Sequence, residues 1–144
     1  MNSYQALSAA SLLMLFGFSG CGGGGGGFDP QKVTVAVSPA SDTIPVGGTL
    51  TLTATIKGLC STCVPAINEW TVTENNGGTC NWFDTPPIEP CPGGTIEETT
   101  GGGFLTVTYH APATSGTYHI VAEWCICFGS SITQDGTAVV TVSP

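Results

Sequence analysis

Residues 104–123 read FLTVTYHAPATSGTYHIVAE. Leu105, Val107 and Tyr109 alternate with Thr106, Thr108 and His110. Tyr118, Ile120 and Ala122 alternate with Thr117, His119 and Val121. A period of two puts each apolar set on one face of an extended strand. Between them, Ala111-Pro112 and Ser115-Gly116 supply turn residues. The stretch therefore predicts strand, turn, strand, and the rest of the chain can be placed around it.

The same period recurs upstream and downstream. In 49–57, Leu50, Leu52, Ala54 and Ile56 share one face, and Thr49, Thr51, Thr53 and Thr55 the other. One face is core and the other solvent. Val33, Val35 and Val37 alternate before Ser38-Pro39 breaks the strand, and residues 42–45 form a short companion edge. Residues 67–73 place Trp70 and Val72 inward. Ala138, Val140 and Val142 mark a last strand.

The chain has 144 residues, enough for one domain but not for two once a leader is removed. With 41% apolar and 8% charged residues, disorder fits poorly. The net charge of −8 sets ten carboxylates against Lys32 and Lys57, with no Arg. Phosphate neutralisation requires a basic face, so no nucleic-acid partner is expected. The charge also argues against electrostatic attraction to anionic lipid.

Residues 6–18 are an apolar run too short to span a bilayer but suited to the core of a signal peptide. The run ends at Phe18-Ser19-Gly20-Cys21, which resembles the lipobox of bacterial lipoproteins. The resemblance implies cleavage before Cys21 and acylation of that residue, hence a membrane partner through a lipid anchor. An ordinary secretory signal cut near Ser19 or Gly20 is the alternative. Gly22 stands where an inner-membrane retention signal places Asp, so the resemblance implies a cell-envelope location, at the outer membrane or cell surface. Residues 22–27 are all Gly. They read as a tether with a mean reach of roughly 13 Å, on which the domain tumbles freely close to the membrane.

The blocks VTVAVSP (33–39), VGGTLTLTATIKG (46–58), NEWTV (68–72), YHAPATSGTYHIVAEW (109–124) and GTAVVTVSP (136–144) are similar to successive strands of bacterial immunoglobulin-like domains. Lettered as in that fold, they are strands A, B, C, E–F and G. The resemblance implies that Trp70 on strand C fills the space between two sheets. Gly116-Thr117-Tyr118-His119-Ile120 is similar to the Gly-x-Tyr-x-Cys segment of such domains. Ile120 takes the cysteine's place, and Leu52 or Ala54 that of its partner, so no inter-sheet disulfide is expected. Tyr118 then resembles the corner tyrosine, whose hydroxyl bonds back to the E–F connection.

The predicted fold is all-β: a single immunoglobulin-like antiparallel β-sandwich of about seven strands over 31–144, with a long Cys-containing insertion between strands C and E. A signal peptide (1–20) and the lipidated Cys with its Gly-rich tether (21–30) precede it.

Six cysteines besides Cys21 remain: Cys60, Cys63, Cys80, Cys91, Cys125 and Cys127. An even number in an exported chain implies disulfides. In the immunoglobulin-like topology the B–C loop and the end of strand F share one end of the sandwich. The Cys60/Cys63 pair is therefore expected to bond the Cys125/Cys127 pair, and Cys80 to bond Cys91. An oxidising compartment favours this over a four-thiolate metal site. Cys60-Ser61-Thr62-Cys63 lacks the βαβ setting of a thioredoxin-like pair. Val64 replaces the His that haem attachment requires.

The 74–103 insertion is rich in Gly and Pro and carries Trp82, Phe83, Asp84, Glu89, Glu97 and Glu98. Long loops carry function more often than short ones. Trp82, Phe83 and Trp124 are the candidate ligand contacts, for a glycan or another surface protein. Alternatively, Trp82 or Phe83 folds back to cap the sandwich. Glu97-Glu98 reads as a solvated pair, and His110 and His119 as a turn and a surface histidine. No catalytic motif, cofactor or metal site is recognisable. The expectation is a non-catalytic surface lipoprotein for adhesion, protein–protein interaction or display. The alternatives are a carbohydrate-binding module and a structural subunit that polymerises through its edge strands.

Overall fold

The threonine-rich alternation of 49–57 becomes a nine-residue strand with Leu52 and Ala54 buried and its four threonines exposed. The computed structural model describes residues 28–76, 80–82, 91–99, 102–126 and 132–144. In chain order the described strands are β1 (Thr34–Ser38), β2 (Ser41–Pro45), β3 (Thr49–Lys57), β4 (Glu69–Val72), β5 (Asn81–Trp82), β6 (Thr95–Glu98), β7 (Thr106–His110), β8 (Gly116–Ile126) and β9 (Ile132–Ser143). Two single 3-10 turns, Pro30–Lys32 and Thr73–Asn75, precede β1 and follow β4.

The strands form two sheets, ordered β1-β3-β7-β6-β5 and β2-β9-β8-β4. This is the immunoglobulin-like arrangement. Strands A, B, E and D (β1, β3, β7, β6) make one layer, and C, F and G (β4, β8, β9) the other. All ladders are antiparallel except two at the edges, where β2 joins β9 and β5 joins β6 in parallel. The D strand and β5 come from the region expected to be one irregular insertion. β6 carries a single buried apolar residue, Ile96, so its sequence signal is weak.

The first strand is shared between the sheets. β1 pairs with β3 as far as Ser38 opposite Thr53, and the chain then crosses over so that β2 runs beside β9. Pro39 has no N–H to continue the first ladder, which is where the sequence places the break. The crossing brings β1 close to β9 at Gly136. A Cβ there would come within 2.9 Å of both Val35 Cγ1 and the Val35 carbonyl oxygen.

Between the layers lies one apolar core. Trp70, Leu52, Ile96, Val107, Tyr109, Ile120 and Val140 are fully buried in it. Ile120, and Leu52 or Ala54, stand where immunoglobulin domains carry a cystine, and all three belong to this core. The Tyr118 hydroxyl donates to the Thr114 carbonyl at 2.9 Å, closing the β7–β8 connection as the corner motif implies. Among the described residues no buried side-chain N or O atom lacks a hydrogen-bond partner.

Removing the Tyr118 hydroxyl isolates that last contact. Tyr118→Phe is expected to cost about 1 kcal/mol in urea denaturation. Amide exchange should accelerate in residues 111–116 while the β3–β7 ladder is unaffected. A variant as stable as the parent would show that the corner bond contributes nothing.

Candidate functional site

The long segment between β4 and β6 is rooted by a polar cluster that no local sequence motif announces. After β4 the chain makes the Thr73–Asn75 turn, ending in Asn76 at φ 52. Asn75 is buried and used at both ends of its amide. Nδ2 donates to the Gly94 carbonyl at 2.9 Å, and Oδ1 accepts from the Gly93 N–H at 2.7 Å. The Tyr109 hydroxyl, fully buried, donates to the Gly93 carbonyl at 2.8 Å. Burial, with smaller contributions from Tyr118 and Glu74, holds that phenol well above its ordinary range, so it stays a donor.

Gly94 must be Gly. Its φ is +90, and a Cβ would run into the His110 carbonyl oxygen. Cys80 and Cys91 then close the root with a disulfide (Cα–Cα 5.8 Å), the pairing expected from sequence. The Gly94 N–H bonds the Cys91 carbonyl at 2.9 Å, and Ile96 N–H the Cys80 carbonyl at 3.3 Å. Beyond the root, β5 runs parallel to β6 with Trp82 opposite Glu97. Phe83, like Cys21 and Cys127, lies outside the described residues.

Trp124 is not a surface platform. It is 7% exposed and belongs to the core cluster. The parity that turns Cys125 away from Ile120 and Ala122 turns Trp124 toward them.

The cysteine pairing at the other end also needs correcting. Cys60 bonds Cys63, not the strand F cysteines. The Cys63 N–H donates to the Cys60 carbonyl at 3.0 Å, a tight turn that brings the Cα atoms to 5.1 Å, within disulfide reach. Cys125 sits in β8 opposite Thr133, its N–H held by Asn68 Oδ1 at 2.8 Å. It too is disulfide-bonded.

Both histidines are engaged with carboxylates. His119 Nδ1 lies 2.7 Å from Glu74 Oε1, and its backbone N–H donates to Oε2 at 3.0 Å. Burial alone would push the Glu74 carboxyl up, but these bonds outweigh it and hold the group below its ordinary value. His110 Nε2 lies 2.9 Å from Glu97 Oε2 on the outer face of the other sheet. Glu97 is exposed, whereas Glu98 is half-buried and held above the usual carboxylate range by burial, so the two are not an equivalent solvated pair. Glu69, Glu123 and Asp135 lie in register across β4, β8 and β9. Burial first, then Asp135 and Glu69, push Glu123 up.

At the β6–β7 connection, Gly102, Gly103 and Phe104 all have positive φ, at +75, +74 and +55. For a bulky aromatic residue this conformation costs about 1–3 kcal/mol. It is held by the Trp70 indole N–H, which donates to the Phe104 carbonyl at 2.7 Å.

Among the described residues no group of three or more His, Cys, Asp or Glu side chains could hold a metal ion. The chain matches no protein-family model and no curated protein, so strand order and register carry the immunoglobulin-like assignment.

Asn75→Ala is expected to cost about 2–3 kcal/mol, because it strands the Gly93 N–H and the Gly94 carbonyl in a buried site. Amide exchange should rise across 91–96 before the sheets open, and exchange confined to global unfolding would contradict the anchoring role.

The carboxylates make opposite pH contributions. Glu74, its folded pKa depressed, adds stability that is present above the ordinary value of 4.5 and is lost as pH falls through the folded pKa. Glu123, its folded pKa raised, withdraws stability as pH climbs from about 4.5 through that raised value. Glu123→Gln should therefore stabilise by about 0.5 kcal/mol at neutral pH, an advantage that vanishes below about pH 4. Glu74→Gln should lose stability at neutral pH and converge with the parent in acid. Thermal melts across this range check both signs.

Proposed function

We propose that this is a non-catalytic envelope lipoprotein, anchored through Cys21, whose immunoglobulin-like domain displays the 74–94 segment to another surface protein for adhesion or assembly. The observation that carries the proposal is the separation between that segment's root and the start of the domain. β1 begins beside the end of β3, Thr34 opposite Lys57, so residues 1–27 join the domain there. The root flanks the start of β3, with Thr95 opposite His110 and His110 opposite Thr49. The nine residues of β3, at about 3.4 Å each, set these ends roughly 27 Å apart.

An anchor at one end and a disulfide-closed, hydrogen-bonded root at the other suit presentation of that root away from the membrane. The resemblance of 18–21 to a lipobox and of the strand blocks to bacterial immunoglobulin-like surface domains supports the same reading. Trp82 and Phe83 fall in the displayed segment, which keeps a glycan contact as the second reading.

The test uses full-length protein isolated from its membrane. Intact mass should show an acylated Cys21. The acylated protein, probed on arrays of envelope proteins and of glycans, should bind protein, with binding lost in the Trp82→Ala, Phe83→Ala double variant. Binding to glycans with the same loss would favour the second reading. Binding indifferent to both substitutions would overturn display through this segment.

A further inference from the structure

The opposite end, where residues 1–27 join the domain, has a surface chemistry of its own. Among the described residues the three most exposed large apolar side chains are Val64 at 84%, Phe104 at 46% and Phe28 at 40%. All three are at this end. Val64 lies in the loop between β3 and β4, Phe104 in that between β6 and β7, and Phe28 just before β1. The two loops are locked together. Ile67 N–H donates to the Gly103 carbonyl at 2.8 Å, and a Cβ on Gly103 would stand 2.6 Å from the Pro65 carbonyl oxygen.

Phe104 is the telling residue. Glycine would adopt its left-handed backbone without strain, and a buried ring would offset the strain by packing. Phe104 has neither recourse, because its carbonyl is fixed by the Trp70 indole and its ring is left about half exposed. The Gly102-Gly103-Phe104 turn thus leaves an aromatic residue about half exposed next to the loop that carries Val64.

We infer that this end is a membrane-docking face, at which Phe104, Val64 and Phe28 enter the interfacial layer of a phospholipid bilayer and hold the domain upright on it. The inference rests on the reading of Cys21 as an acylated anchor. From Cys21 to Phe28 the chain is Gly22–Gly27 alone, a mean reach of roughly 13 Å. This end is therefore kept at high effective concentration beside the bilayer, as no other surface of the domain is.

Lys32 and Lys57, the chain's only lysines in a sequence without Arg, are both at this end, just before β1 and at the end of β3, where they can meet lipid phosphates. Asp29 pairs with Lys32 at 3.7 Å. Glu69, Glu123 and Asp135 lie in the same half of the sandwich. They disfavour attraction to an anionic surface, so contact is apolar and suits zwitterionic headgroups. The domain then stands on its anchor instead of tumbling about it.

The experiment places full-length acylated protein in phosphatidylcholine nanodiscs bearing a nitroxide at the headgroup and reads amide broadening by NMR. Residues 61–66 and 102–105 should broaden several-fold more than 73–76 and 111–116, with little dependence on salt. Phe104→Gly, which relieves the backbone strain, should fold at least as well as the parent yet lose most of that difference, and Val64→Ser should reduce it. A uniform profile in acylated protein would overturn docking while leaving the lipoprotein reading intact. If intact mass shows no acyl group, that reading falls. The Cys21→Ser chain mixed with the same nanodiscs then decides docking alone, by broadening or its absence at 61–66 and 102–105. Protection of these residues that grows with protein concentration and not with lipid would instead assign the face to a second copy of the chain.

Discussion

The fold hangs on one indole. Trp70 is fully buried between the sheets, and burial of so large a ring is the greatest single apolar contribution available to a small sandwich. An indole N–H cannot be buried without an acceptor, and here the acceptor is the Phe104 carbonyl. That requirement fixes the β6–β7 connection in its left-handed path, which in turn seats Gly103 against the loop leading to β4. Core packing at Trp70 thus dictates the shape of one end of the molecule.

The two disulfides among the described residues play a lesser and local part. The Cys60–Cys63 and Cys80–Cys91 bonds span sequence separations of 3 and 11, and neither joins the two sheets. Short closures constrain the unfolded chain less than long ones. The sheets are held together by hydrocarbon contact, with Ile120 and Leu52 or Ala54 in the place of a cystine, and by the shared first strand that enters both layers. The disulfides fix loops whose sequences are too rich in Gly, Pro and polar residues to pack for themselves.

Much of this architecture was legible in the sequence, for a reason particular to strands buried on one face. Residues 49–57 and 118–122 alternate so strictly that parity alone assigns each side chain to core or solvent. The same parity, carried two residues beyond Ala122, places Trp124 inside, so its assignment as a ligand contact was avoidable. β6 was hidden because one inward Ile96 is too little pattern to count. The Asn75 root was hidden for a different reason. Its partners Gly93 and Gly94 are remote in sequence, and an Asn ahead of Asn-Gly-Gly reads as a turn whether or not its amide is buried. Cys80–Cys91 was paired correctly, but Cys60 and Cys63 were not, because topology showed which loops were near one another whereas the local turn at 60–63 brings those two thiols together.

The acidic row across β4, β8 and β9 is a cost that the core does not need. Like charges directly opposite one another on a sheet destabilise it, and Asp135 and Glu69 add to burial, the larger cause, in raising the Glu123 carboxyl. The row has a use at the sheet's margin. β4 is the outer strand of its sheet, only four residues long, and it opens with Glu69. β2, at the other margin, carries Asp42 and ends in Pro45, and β5 closes the second sheet with two residues. Short, charged or proline-bearing edges are poor templates for strand addition. At these three margins, strand addition from a second chain is therefore disfavoured, whatever the two ends of the sandwich contact.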